Sequence, residues 1–204
     1  MAPVPARNPE QQRLTRRGIA LEVVTLGWNV VGVLVLAFAA IAAGSVALAA
    51  FGLDSLIEIG ASIAVIWQLT GASALRQRVA LRLIGWAFLL LAAYLVLQGA
   101  LVLALQVEPD ASPLGIGWTA ATALAMLVLA WGKKRVGVAL SNPVLVAESR
   151  VTLVDALLAS AILAGLVLNA AFGWWWADPL AALVLVFYAL REGVAAAHNA
   201  PAKE

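Results

Sequence analysis

GSVALAAFGLDSLIEIGASIAVIW, residues 44–67, decides how the rest of the chain is read. It is long and apolar enough to cross a bilayer as a helix, which takes about 20 residues. Asp54 and Glu58 nevertheless stand near its middle. Residues four apart lie on one helix face, a turn from each other. An uncompensated charge in hydrocarbon costs at least about 2.5–3.5 kcal/mol, so two carboxyls on one face call for a polar interior to receive them.

The composition agrees with a membrane setting. Hydrophobic residues make up 64% of the 204 residues and charged residues 12%, about half the charged share of a soluble domain. The chain reads as an all-α integral membrane protein. It has no cysteine, which excludes disulfides and thiolate ligands. Its one histidine, His198, falls beyond the last apolar run. Any metal site within the membrane must therefore be built from oxygen ligands. No removable signal peptide is expected, because no apolar segment followed by a cleavage site opens the chain.

Six apolar runs predict six transmembrane helices, over residues 18–43, 44–69, 80–105, 113–132, 144–172 and 174–196. The expected organisation is a basic arm over 1–16, a six-helix domain over 17–197 and a short tail over 198–204, with no C-terminal cytoplasmic domain. The first two runs nearly abut and predict a tight helical hairpin. With six spans, all 13 basic residues fall on one side, and Glu108, Asp110 and Asp178 mark the other. The positive-inside rule then places both termini in the cytoplasm of a multi-pass cell-membrane protein. Trp174, Trp175 and Trp176 suit an aromatic belt at the outer interface.

The acids in the spans differ in depth. At 1.5 Å per residue, Asp54 lies about 15 Å and Glu58 about 21 Å along the second span, and Asp155 about 15 Å along the fifth. Glu22, Glu148 and Glu192 are expected nearer the basic side, level with Arg17, Arg150 and Arg191, as interfacial ion pairs or a vestibule for cations. Asp178 beside Pro179 suits a helix N-cap. No lysine or arginine is expected at the depth of Asp54, Glu58 and Asp155. Carboxylates alone suit hard or borderline divalent ions, Mn²⁺ first, with Zn²⁺, Fe²⁺ or Co²⁺ also possible. Asn29, well inside the first span, could add an oxygen or make an interhelical hydrogen bond. Residues 54–58 (DSLIE) and 151–155 (VTLVD) also match weakly, each ending in an acid with a hydroxyl residue three positions earlier.

Two motifs carry a resemblance to a known family: residues 45–58, SVALAAFGLDSLIE, and residues 147–157, AESRVTLVDAL, supported by GWWWADP at 173–179. They resemble the membrane domain of the cation diffusion facilitator family. The resemblance implies metal ligands at Asp54, Glu58 and Asp155, with Glu148 in place of a further family acid. Val151 stands where the family has its first ligand in the fifth span, so one ligand is missing; Glu148, Asn29, Ser55, Thr152 or water could replace it. The resemblance also implies proton-coupled efflux of a divalent metal and a homodimer.

The resulting expectation is a secondary transporter for a divalent cation, with protons as the counter-substrate and the lipid bilayer as its surroundings. The alternative is a non-transporting membrane subunit with a degenerate metal site. An enzyme is not expected, since no nucleophile or cofactor motif accompanies the acids. Nucleic acid is not an expected partner, because the basic residues sit where anionic lipid meets them.

Overall fold

Local signals start the helices where the sequence leads one to look. In the computed structural model, which describes residues 9–43, 46–71, 73–106, 112–174, 186–187, 190–191 and 194, Ser73, Ser112 and Asn142 are N-caps. Each cap side chain accepts from backbone N–H groups in the first turn that no helical carbonyl can reach. Pro113 and Pro143 follow at the first helical position, where a missing N–H costs nothing. Gly173 ends the last of these helices with φ 67, the left-handed conformation that glycine adopts without strain.

The elements are α1 (Pro9–Ala43), α2 (Val46–Thr70), α3 (Ala74–Leu105), α4 (Pro113–Ala139) and α5 (Pro143–Phe172). The described residues contain no strand, and all five helices are long and apolar enough to cross a membrane. The chain is a multi-pass membrane protein. α1 starts at Pro9, so the second half of the expected arm is helical and continuous with the first span. At 35 residues it measures about 52 Å, longer than the hydrocarbon core. Of the sixth expected span only scattered positions are described: Val186 is buried in the core, and Phe187, Leu190 and Val194 are exposed. Asp178, Glu192, Trp175 and Trp176 lie outside the described residues.

The helices pack in a ring, α1 on α2, α2 on α3, α3 on α5, α5 on α4 and α4 on α1, with α2 and α5 also touching across it. They run up and down. The start of α1, the end of α2, the end of α4 and the start of α5 meet at Gly18, around which Leu69, Val136 and Leu145 close. There the Asn142 amide donates to Gln68 Oε1 at 3.0 Å. This is the basic end, since Arg13, Arg16, Arg17, Arg76, Arg78, Lys134, Arg135 and Arg150 belong to the same helix ends. At the opposite end Gly115 approaches Leu48 and Gly52 approaches Leu36.

The two surfaces of the bundle are inverted relative to a soluble protein. Outward positions such as Leu34, Phe38, Ile41, Trp86, Leu90, Leu124 and Val128 are large and apolar, as lipid requires. The buried face of α1 runs Gly18, Glu22, Thr25, Asn29, Gly32, Leu36 and Ala39, and that of α4 includes Gly115, Thr119, Thr122, Met126 and Lys133. Small residues on these faces let the helices approach closely. A Cβ at Gly137 would lie 2.9 Å from Val146 Cγ2 and 3.0 Å from the Val146 backbone nitrogen. The backbone there cannot give way, so Gly137→Ala should destabilise the α4–α5 turn by about 1–3 kcal/mol. Gly117 has open space around it, and Gly117→Ala should leave stability unchanged or slightly raised. Thermal unfolding of the two variants in detergent reads this difference.

Candidate intramembrane cation site

Polar side chains of three helices converge on one lysine of a fourth. α4 continues past Gly132 to Ala139, which turns Lys133 onto the helix face already occupied by Thr119 and Thr122. It is fully buried. Its Nζ donates to Glu148 Oε1 of α5 and, at 2.9 Å, to Thr152 Oγ1. It also lies 3.1 Å from Glu22 Oε2 of α1 and 4.0 Å from Glu58 Oε1 of α2. The Thr152 hydroxyl accepts from the lysine and has one hydrogen to give. Its shortest acceptor is Glu58 Oε1 at 2.6 Å, with Glu148 Oε1 at 3.0 Å. Thr152 therefore links the ammonium to the second-span acid.

Further from the basic end, Asp155 of α5 meets Asp54 of α2 within hydrogen-bonding range. Glu22 and Glu148 make a similar approach at the lysine. On α5 the residues Glu148, Thr152 and Asp155 follow the i, i+4, i+7 spacing of one helix face, a column about 10 Å long. On α2, Asp54, Glu58 and Ser62 stand at i, i+4 and i+8, also along one face. All are buried. Six carboxylate oxygens of this cluster have neither a hydrogen bond nor the ammonium beside them: Glu22 Oε1, both of Asp155, and one each of Asp54, Glu58 and Glu148. Two carboxylates in contact bring no hydrogen of their own, so each acid–acid contact needs a proton or a cation between its members.

The expected ligands are thus placed unequally. Asp54 and Asp155 come together. Glu58 is turned toward Thr152 and Lys133, and Glu148 is held by the lysine. Asn29 is buried on the same face of α1 as Glu22, with its amide nitrogen donating to Thr25 O at 3.0 Å, which leaves its oxygen as the end able to ligate. Val151 is buried in the apolar core. Among the described residues, no group of three or more acids converges closely enough to hold a metal ion in this conformation.

Two expectations need correction. A basic residue does reach the deep acids: Lys133 was assigned to the loop after the fourth span, yet α4 extends beyond it. Glu22 and Glu148 are not interfacial partners of Arg17 and Arg150; both are fully buried and pair with Lys133. Once α4 is known to continue, the spacing fits: Thr119, Thr122, Met126, Leu129 and Lys133 recur every three or four residues. Lys134 and Arg135, its neighbours in sequence, are exposed, and Arg135 stacks on Trp131 at 4.0 Å from the ring centre.

The model for the cation efflux transmembrane domain matches residues 77–200, more than half of the chain. That span contains Lys133, Glu148, Thr152 and Asp155, and begins after Asp54 and Glu58. No curated protein matches the chain at a significant level.

Thr152→Val keeps the shape of the side chain and removes the hydroxyl that Lys133 and Glu58 share. It leaves a buried donor and a buried acceptor without each other, a loss of about 1–3 kcal/mol. Thr25 bonds only to the carbonyl of Leu21 in its own helix, and Thr25→Val should cost less. Thermal unfolding of both variants in one detergent checks the ranking.

Proposed function

Because the chain belongs to the cation efflux family, whose members are membrane transporters of metal cations, we propose that it is a secondary transporter exchanging a divalent metal ion for protons. The observation that carries the reading is the three buried carboxylate oxygens of the Asp54–Asp155 pair, Asp54 Oδ2 and both of Asp155, that receive no hydrogen bond. Such oxygens call for cations. A site that holds protons in one state and a metal ion in the other is what antiport requires, and a site near the middle of the membrane is where transporters bind substrate.

The proposed ligands are Asp54, Asp155 and Glu58, with Glu148 and the Asn29 oxygen as the nearest further candidates. An all-oxygen set favours Mn²⁺ and admits Zn²⁺, Fe²⁺ or Co²⁺. Glu58 has to leave Thr152 to join the other two, a movement within one side chain. The basic end would face the cytoplasm of the cell membrane with both termini. Leu36, Leu48, Phe51, Leu158 and Ile162 belong to one buried apolar cluster and lie on the parts of their helices toward the opposite end. Release on that side would require them to separate. A homodimer, which the family resemblance implies, is part of the proposal.

Mn²⁺ transport into proteoliposomes under an imposed pH gradient tests the assignment. Wild-type protein should transport in proportion to the gradient. Asp54→Asn and Asp155→Asn should each reduce transport to the level of empty vesicles; wild-type rates from either variant would exclude the site. Val151, an apolar residue at an expected ligand position, favours one other reading, a non-transporting subunit. Wild-type protein that binds no divalent ion in calorimetry would support that reading instead.

A further inference from the structure

The expected metal site does not account for Lys133. A transporter of cations has little evident use for a fixed positive charge beside its ligands. The charge sits between the basic end and the proposed ligands, and it contacts acids of α1, α2 and α5 at once. Those are the contacts that an entering cation would make. Glu22, Glu58 and Glu148 cannot serve the ammonium and a divalent ion at full strength together.

We propose that Lys133 is a tethered counter-cation that occupies the acid-lined approach to Asp54 and Asp155 and weakens divalent binding there enough for the ion to leave. This rests on the transport reading above. Glu58 is the point of exchange. It is 4.0 Å from the ammonium and is joined to it through one hydrogen bond from Thr152. When a divalent ion reaches Asp54 and Asp155, Glu58 turns from Thr152 to the ion, while Glu22 and Glu148 keep the lysine. When the ion leaves, Glu58 returns. The flexible four-carbon stem of lysine and its compact charge suit it to share unequal partners. Conduction in general needs binding strong enough to enter and weak enough to leave; a like charge a few ångströms from the ligands supplies the second half.

The test compares full-length wild type with Lys133→Met and Lys133→Arg in Mn²⁺ binding by electron paramagnetic resonance and in proteoliposome transport. Removing the positive charge should tighten Mn²⁺ binding at least about ten-fold and lower both KM and the maximal rate. Lys133→Arg should restore affinity toward the wild-type value. A merely structural role predicts weaker binding, so the direction of change is diagnostic. If Lys133→Met does not fold, the charge-balanced double variant Glu22→Gln with Lys133→Met takes its place and should bind Mn²⁺ more tightly than Glu22→Gln alone. A folded variant that binds no more tightly overturns this proposal only, as does failure of both to fold. Wild-type protein that binds no divalent ion overturns the transport reading and this one with it.

Discussion

An ammonium buried among carboxylates of three other helices sets the terms for the bundle. Isolated in hydrocarbon, each of these groups would be costly. Together, Lys133, Glu22, Glu148 and Glu58 offset one another, and the offset holds only while α1, α2, α4 and α5 keep their relative register. Such a cluster is a poor source of net stability, since desolvation consumes much of the attraction. Its effect is on specificity: a helix rotated to face the lysine toward lipid would leave charges on both sides of the error. The small residues of the same faces, Gly18 and Gly137 among them, then allow the close approach that the contacts need.

Polarity is graded along the bundle. From the basic end inward come Lys133 with Glu22 and Glu148, then Thr152 with Glu58, then Asp54 with Asp155, and beyond them Leu36, Phe51, Leu158 and Ile162. No step in this series is isolated from the next: Thr152 joins the first level to the second, and a single helical turn of α2 joins the second to the third. The apolar end is packed as a core packs, which makes it a seal. Alternating access would exchange that seal for one at the basic end, where the acids and the lysine would have to close instead.

The helical architecture was legible because it follows from hydropathy and caps. Pro113 after Ser112 and Pro143 after Asn142 mark helix starts in the sequence, and the short interval between the first two apolar runs gives the hairpin. The pairing of Asp54 with Asp155 was also legible, since acids on opposed spans at matching depth have few other places to go. Lys133 was not, for a physical reason. Basic residues at the end of an apolar run normally snorkel to the interface, and the run KKR reads as the end of the span. Only the continuation of α4 through Ala139 separates the inward Lys133 from the outward Lys134 and Arg135. The choice is made by Glu22 and Glu148, whose burial cannot be read from their own positions near the basic side. Lys133, Glu22 and Glu148 each look interfacial alone; their mutual compensation takes them inside.

That compensation is incomplete, and the remainder bears on function. Among the described residues five buried acids stand against one buried ammonium, so full ionisation would leave a large uncancelled negative charge in a low dielectric. Protons or metal ions must make up the difference. The lysine settles which acids are already balanced: Glu22 and Glu148 touch it directly, Glu58 partly through Thr152, and the Asp54–Asp155 pair has no direct contact with it. The deficit is therefore concentrated at the deepest pair. On the proposed transport reading, a cation drawn in from the basic end would meet acids that are already engaged before acids that are not, which would favour passage to the pair over retention at the entrance.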